Sequence, residues 1–204
     1  MRRGLEPRPA AAHRAAVLVL DVLSDFAFPD GPHVRRALQR RARPLRTFLD
    51  RARRQLGSLV YVNDNLGAWR SDAPALIAHC TDPRRPGARL VEALTPAASD
   101  EIVIKPRHSA FFGTPLAALL ADRGADTLVL VGVSVESCVW MTACDAHTRG
   151  FKLVIPADTV AGASAAGLRR TLASLREVLG ARVPSHSSSV RFARGRLKTS
   201  RAAA

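Results

Sequence analysis

Cysteine is scarce in this sequence: the 204 residues include only three, Cys80, Cys138 and Cys144. An odd number of cysteines without regular spacing argues against a disulfide framework and against a zinc-ribbon site. Free cysteine is among the most often buried residue types, so each one taken alone could be a small core side chain. A reducing compartment fits this cysteine usage best.

Long apolar runs are also missing. No segment approaches the roughly 20 residues that are needed to span a bilayer. The N-terminus is polar, and the apolar run over residues 15–20 is too short for the hydrophobic region of a signal peptide. We therefore expect a cytoplasmic protein with no membrane partner.

Acidic residues are few, because 17 Asp and Glu face 31 Lys and Arg, which gives a formal net charge of +14. The excess lies in residues 1–14 at +3, residues 35–54 at +8 and residues 185–204 at +5, while the rest of the chain carries −2. RNA-binding surfaces usually interleave aromatics with basic residues, but Phe48 is the only aromatic residue in 35–54. We interpret this segment as a solvated helix face and consider a nucleic-acid partner unlikely, with polyanion binding kept as an alternative.

Apolar, β-branched runs alternate along the chain with segments of helical spacing. The predicted strands are residues 15–20, 58–62, 101–104, 127–131 and 151–156. The predicted helices cover residues 44–56, 114–123, 139–147 and 163–179, and a polar loop is expected from Asn63 onward. This alternation predicts an α/β fold with three layers, α/β/α, around a mostly parallel, Rossmann-like sheet.

The chain length is that of one domain with a full core. We predict that residues 1–14 form a flexible basic N-terminus and residues 15–183 form the folded domain. Residues 184–204, with a serine run and scattered arginines, are predicted to be a disordered basic tail.

Polar residues follow the carboxyl ends of three predicted strands. Asp21 ends the first strand, Lys105 ends the third, and the turn after the fourth leads to Cys138 at the start of a helix. Ligands of such sheets bind outside the carboxyl ends of the strands. A helix N-terminus favours thiolate over thiol, and a thiolate beside convergent N–H groups is a nucleophile at an oxyanion hole. Each residue alone could be structural, but the set of three predicts catalysis.

Three motifs carry a resemblance to a known family. They are the stretches LVLDVLSDF at 18–26, KPRHSAF at 105–111 and VGVSVESCV at 131–139, the last followed by TACDA at 142–146. In these motifs the chain resembles the isochorismatase-like cysteine hydrolases over roughly residues 15–180. The segments YVNDN at 61–65 and WRSD at 69–72 are similar to an uncharacterised branch of the family and not to nicotinamidases proper.

The resemblance implies a catalytic triad of Asp21, Lys105 and Cys138. Asp21 would act as general base and then general acid, Lys105 would orient Asp21 and keep it ionised, and Cys138 would form a thioester. The family also implies a cis peptide between Val133 and Ser134. That bond would direct the Ser134 N–H, together with the Cys138 N–H, at the oxyanion.

The sequence gives weaker signals for the substrate pocket and for any cofactor. We expect the side chains that wall the pocket to be Phe26, Asn63, Trp69, His108, Phe111 and Phe112. Metal-dependent nicotinamidases place a histidine two positions after the aspartate that corresponds to Asp64, where this chain has Leu66. Asp64 and His79 alone would leave a metal under-ligated, so no metal and no cofactor are expected.

The sequence thus favours a cofactor-free cysteine hydrolase that cleaves a C–N bond of a small amide or carbamoyl substrate. Two alternatives remain: an inactive, basic, polyanion-binding member of the family, and a hydrolase of a different bond, such as a vinyl ether, on the same fold. Isochorismate itself is an unlikely substrate, because isochorismatases acting on the vinyl ether lack the cysteine nucleophile. Apolar helix faces make a symmetric homo-oligomer plausible.

Overall fold

The computed structural model describes residues 14–70, 72–193 and 195–198, and these residues form an α/β fold around one sheet. The central part of the sheet is parallel, with the strand order β3-β2-β1-β4-β5. Its strands are β1 (Arg14–Leu20), β2 (Val60–Asp64), β3 (Glu101–Lys105), β4 (Ala125–Gly132) and β5 (Lys152–Val154). The mixed α/β class and the mostly parallel sheet confirm the predicted fold class.

Helices follow most of the strands along the chain. They are α1 (Gly31–Leu56), α2 (Ala73–Thr81), α3 (Ala88–Glu92), α4 (Leu116–Asp122), α5 (Trp140–Thr148) and α6 (Ala165–Leu179), with a π-helical turn at Val135–Val139. Within the described ranges, no helix is both long enough and apolar enough to cross a membrane.

The central strand β1 is buried on both faces, which explains its unbroken apolar sequence. Val17 and Val19 pack into one core cluster, whereas Leu18 and Leu20 pack into the other. Because alternate residues of a strand point to opposite faces, a single run of valine and leucine supplies both cores. Because β1 is the middle strand of the parallel part of the sheet, its carboxyl end lies at the centre of the edge where the strands end.

Helix α1 is longer than predicted, and the expectation that a helix begins near Pro44 is wrong. The helix runs for 26 residues with Pro44 inside it and a second proline in its first turn. Proline in a helix interior costs about 3 kcal/mol. Val34 and Leu38 before Pro44, and Leu45 and Leu49 after it, are all buried in the same core cluster. Burial of this continuous apolar face offsets the cost of the interior proline, so the helix continues beyond it.

Part of the basic segment 35–54 is structural. The Arg53 guanidinium donates to the fully buried Asp100 carboxylate, with 2.7 Å from Nη2 to Oδ2. Arg51 Nη2 donates to the carbonyls of Ser187 and Val190 at 2.6 and 3.1 Å. These arginines join the helix to the loop before β3 and to the C-terminal segment, and so are not simply a solvated face.

Removing the Asp100 carboxylate is expected to destabilise the fold. Asp100 also accepts from the amides of Leu59 and Ala97 at 2.9 and 2.8 Å, so Asp100→Ala removes the acceptor of two N–H groups and leaves a largely buried guanidinium with its contact to the half-exposed Asp50. We expect a loss of about 3 kcal/mol in the free energy of unfolding. Urea denaturation tests this, with Asp50→Ala as the control: Asp50 also pairs with Arg53 but is half exposed, so its removal should cost about 0.5 kcal/mol or less. Equal losses would contradict the assignment.

The prediction of a disordered tail over residues 184–204 is wrong for the part that the structure describes. A 3₁₀ turn at Ser187–Ser189 leads into a hairpin of β6 (Arg191–Ala193) and β7 (Arg196–Lys198), and β7 pairs with β1. Val190 and Phe192 are buried, and the Phe192 ring lies 6.2 Å from that of Phe48. These two apolar side chains anchor the segment to the core. The average composition of the segment, which is rich in serine and arginine, gives no sign of this anchoring. Of the predicted flexible N-terminus, residues 1–14, the structure describes only Arg14, which is the first residue of β1; residues 1–13, 194 and 199–204 lie outside the described residues.

The predicted polar loop between β2 and β3 contains helices α2 and α3. The Asp72 carboxylate caps α2 by accepting from the Ala75 N–H at 2.8 Å, and proline occupies the first turn. Leu76, Cys80 and Val91 bury the inner faces of these helices. The cap and the proline are a helix-start signal that the sequence interpretation overlooked, and α2 matters because it brings His79 to the site described next.

Candidate active site

The three residues predicted to act together meet at the carboxyl edge of the sheet. Asp21 follows β1, Lys105 is the last residue of β3, and Cys138 lies in the π-helical turn after β4. Lys105 Nζ lies 3.0 Å from Asp21 Oδ2 and 3.7 Å from Cys138 Sγ. Parallel topology produces this meeting, because it places the carboxyl ends of β1, β3 and β4 at one edge.

Lys105 is the fixed cation of the site. Its side chain is fully buried, and Asp64 Oδ2 lies 3.8 Å from Nζ. Burial lowers the pKa of Lys105, but the charges of Asp21, Cys138 and Asp64 and the hydrogen bond to Asp21 outweigh that effect, so the pKa is raised. The ammonium therefore stays charged and holds Asp21 in place.

Asp21 is a carboxylate with strengthened basicity. Burial raises its pKa above the ordinary value, although Lys105, the Cys138 thiol and the Asp64 N–H all act in the opposite direction. The Asp64 N–H donates to Oδ1 at 2.7 Å, which fixes the carboxylate plane. A carboxylate with a raised pKa, next to a thiol, is suited to taking the thiol's proton.

The surroundings of Cys138 disfavour the thiolate, contrary to the expectation that a helix N-terminus would favour it. Burial and the negative charge of Asp21 raise the pKa of Cys138 to about 12, against the lowering effect of Lys105 and a hydrogen bond from Ser137. Cys138 is 9% exposed. Desolvation and a neighbouring carboxylate outweigh the helix-terminus effect, so a reaction at this sulfur would need a base to take its proton.

The turn between β4 and Cys138 is held by close backbone contacts. Gly132 has a φ of +112°, and a Cβ there would lie 2.0 Å from the Leu20 carbonyl oxygen, so only glycine fits. Val133 N–H donates to that same carbonyl at 2.9 Å, and the Val133–Ser134 peptide bond is cis. In the described turns and loops, no backbone carbonyl accepts from the Ser134 N–H.

A cavity of about 620 Å³ opens above the triad. Asp21, Ser134 and Cys138 lie in its wall, as does His108, whose Nδ1 is 3.5 Å from Cys138 Sγ. The apolar part of the wall was missed by the sequence interpretation; it consists of Leu23, Ala27, Phe28, Val34, Leu66 and Val133.

Most of the side chains expected to wall the pocket lie elsewhere. Phe26 is buried with its ring against Gly87, and Asn63 is buried with its amide donating to the Leu23 carbonyl at 2.6 Å. Phe111 packs on the Phe151 ring at 5.9 Å and beneath the Arg149 guanidinium.

The two remaining aromatic residues of that set are exposed. Phe112 is 60% exposed and lies outside the cavity wall. Trp69, which is 77% exposed, lines a neighbouring cavity of about 630 Å³ that shares Asp25 and Leu66 with the first. Of the aromatic side chains expected in the wall, only the imidazole of His108 is in it.

The structure adds a partly buried, hydrogen-bonded pair, Asp25 and His79, that sequence reasoning missed. Asp25 lies in the wall of both cavities, and its Oδ2 is 2.9 Å from His79 Nε2 on α2. Burial raises the pKa of Asp25, but the hydrogen bonds from His79 and the Ala27 N–H together outweigh that effect. The pKa is therefore lower than its ordinary value. Asp25 thus stays ionised at the cavity wall.

Metal ligation is a separate question for this site. Among the described residues, no group of three or more His, Cys, Asp or Glu side chains is placed to hold a metal ion. Asp64 and His79, the two ligand candidates considered, line different cavities and hold different partners, Lys105 and Asp25.

Comparison with known proteins places this geometry in a family. The model of the isochorismatase domain matches residues 15–186. The uncharacterised isochorismatase family protein YaaI of Bacillus subtilis is 28% identical over 168 residues, which are 82% of this chain and 92% of YaaI. The maleamate amidohydrolase of Pseudomonas putida is 30% identical over 157 residues, 72% of either chain. The structure of N-carbamoylsarcosine amidase from Thermoplasma acidophilum aligns with a TM-score of 0.65 at 25% identity, over 87% of this chain and 99% of the amidase. This chain belongs to the isochorismatase family and is a hydrolase.

Proposed function

We propose that the protein is a cysteine-dependent hydrolase that cleaves the C–N bond of a small amide or carbamoyl substrate through a thioester on Cys138. The observation that carries the proposal is the contact of one buried ammonium, Lys105, with both the Asp21 carboxylate and the Cys138 thiol. The amidohydrolase and amidase among its relatives support a C–N bond as the target.

Attack begins with a proton transfer from sulfur to Asp21. The Cys138 sulfur forms a bond to the carbonyl carbon while its proton moves to the Asp21 carboxylate, so no free thiolate has to accumulate. Lys105 offsets the negative charge that develops on sulfur. The raised pKa of the thiol makes this base essential, and the raised pKa of Asp21 makes it effective.

The carbonyl oxygen becomes an oxyanion at the turn before the nucleophile. The N–H groups of Ser134 and Cys138 are the proposed donors. Collapse of the intermediate breaks the C–N bond as Asp21 returns the proton to the leaving nitrogen. Water then adds to the thioester with Asp21 again as base, which releases the carboxylic or carbamic acid and restores the thiol.

A panel of small amides and ureides tests the proposal. Ammonia release by the wild-type chain is the readout, and a vinyl ether assayed for its own product tests the alternative bond. We expect turnover of at least one amide or ureide, and equal turnover by Cys144→Ser, because Cys144 lies in α5 outside the cavity wall. Turnover of the vinyl ether alone, or of no member of the panel, would overturn the proposal.

The pH dependence of hydrolysis should report Asp21. Because its carboxylate must be ionised to accept the proton, kcat/KM falls as pH drops through its pKa, which burial raises above 3.8. Lys105 lowers that pKa, so Lys105→Met should reduce activity and also move the acid limb to higher pH. Profiles measured from about pH 4 to about pH 9 decide the point. A reduced rate with an unmoved limb would show that Lys105 does not act through Asp21.

A further inference from the structure

The wall of the active-site cavity is acidic in a strongly basic chain. Its charged or titratable side chains, besides the Cys138 thiol, are three carboxylates, Asp21, Asp25 and Asp64, and one imidazole, His108. Among the described residues that form this wall there is no Arg or Lys, although the chain has 31 of them against 17 acids. The cavity therefore has a charge opposite to that of the protein as a whole.

The buried ammonium does not neutralise this wall. Lys105 lies beneath the cavity, fully buried, with its charge engaged by Asp21 at 3.0 Å and Asp64 at 3.8 Å. One ammonium thus faces three carboxylates, of which Asp25 also has a hydrogen bond to His79. Even with the proton of the thiol on Asp21, the site keeps at least one more carboxylate than ammonium groups.

Asp25 is the carboxylate of this wall that the proposed chemistry does not use. Its Oδ1 accepts the Ala27 N–H at 3.0 Å and its Oδ2 contacts His79 Nε2 at 2.9 Å, so its orientation is fixed. Its side chain is 14% exposed, and that exposure is to the two cavities. Arg85 Nη2 lies 3.5 Å from the other ring nitrogen of His79, and no hydrogen bond or ion pair joins Arg85 to Asp25 among the described residues, although its charge acts on the carboxylate from there.

We infer that the preferred substrate is a small amide whose end remote from the scissile carbonyl carries a positive charge, and that Asp25 determines this specificity. This inference rests on the proposed function. An ammonium at that end would donate to Asp25, and a carboxylate there would be repelled by it and by Asp64. The apolar wall of Leu23, Phe28, Val34 and Leu66 accommodates the carbon chain between the two ends.

Three amides of nearly equal size test the inference. Pentanamide ends in a methyl group, 4-aminobutanamide replaces that methyl with an ammonium, and glutaramate carries a carboxylate there. We expect kcat/KM to fall in the order ammonium, methyl, carboxylate, with about tenfold between neighbouring members, which corresponds to roughly 1.4 kcal/mol per step. Ammonia release at fixed ionic strength measures it.

A matched pair of variants assigns the preference to Asp25. Asp25→Asn should reduce the ratio of kcat/KM for the ammonium amide to that for the neutral amide by about tenfold. Asp122→Asn, at the exposed end of α4, removes the same charge far from the cavity wall and should leave the ratio unchanged.

The outcomes separate this inference from the proposed function. If the wild-type chain hydrolyses these amides but prefers glutaramate, or if Asp25→Asn leaves the ratio unchanged, the inference is wrong and the hydrolase assignment stands. A preference for glutaramate would point to Arg70, which lines the neighbouring cavity. If no amide in either panel is turned over, the proposed function itself fails.

Discussion

Replacing Cys138 with alanine should lower kcat/KM for the preferred amide by about 10⁴-fold or more, because the variant has no atom that can form the thioester. What remains would be hydrolysis by water within the cavity, helped by the oxyanion donors alone. The thiol is almost fully buried, and its loss removes one sulfur atom from the cavity floor. The melting temperature should therefore stay within a few degrees of wild type.

Cys144→Ser is the matched control for that result. Cys144 is six residues further along the chain, within α5, and takes no part in the cavity wall. It should keep activity within about twofold of wild type. Comparable activity of the Cys138 variant and wild type would exclude covalent catalysis, and comparable loss in both variants would indicate damage to the helix instead.

Asp21→Asn is expected to cost about 10³-fold in kcat/KM, since general-base catalysis contributes roughly 10² to 10⁴. The amide is nearly isosteric and its oxygen still accepts the Asp64 N–H, but it cannot take the thiol proton. Asp64→Asn is the control. Asp64 is also near Lys105 and also lines the cavity, but it is not the proposed acceptor of the thiol proton, so we expect kcat/KM to fall by about tenfold or less. Equal losses would mean that only the net charge matters.

Asp21→Asn should slow hydrolysis and yet lower the pKa of the Cys138 thiol. The negative charge of Asp21 is one of the causes that raise the pKa of Cys138 to about 12, so removing it lowers that pKa. Asp21→Asn should shift the pH midpoint of Cys138 alkylation downward, measured by mass spectrometry of the Cys138 peptide. A better ionised thiol that hydrolyses amides more slowly is a combination that a merely misfolded site would not produce.

The proposed catalytic residues could be predicted from sequence because each ends a strand or lies in or next to the turn that follows one. Asp21, Lys105 and Cys138 need no knowledge of loop conformation: once the strands are parallel, their carboxyl ends share an edge. The turn at Gly132 could be predicted for the same reason, because it lies at the end of β4. The thiol's protonation state could not be predicted, because it depends on burial and on the charge of Asp21, which only the assembled site provides.

The pocket wall could not be predicted because most of it is made by loops, and the carboxylate of Asp25 is held by a residue of helix α2. Phe26 and Asp25 are adjacent in sequence, yet Phe26 has a φ of +56° and turns into the core while Asp25 lies in the wall of both cavities. His79, which holds Asp25, comes from a segment predicted to be loop. An aromatic residue near a strand end has no sequence signal that distinguishes a core ring from a pocket ring.

The most direct test of covalent cysteine catalysis is the mass of the enzyme during turnover. The preferred amide is mixed with wild type, quenched in acid within milliseconds to seconds, and digested for mass spectrometry, with Cys144→Ser treated in parallel. A peptide that contains Cys138 and has gained the mass of the acyl group, and that loses it to hydroxylamine, is the result we predict in both proteins. Rapid amide hydrolysis without that adduct at any quench time, and without hydroxamate when hydroxylamine is present during turnover, would contradict a thioester on Cys138.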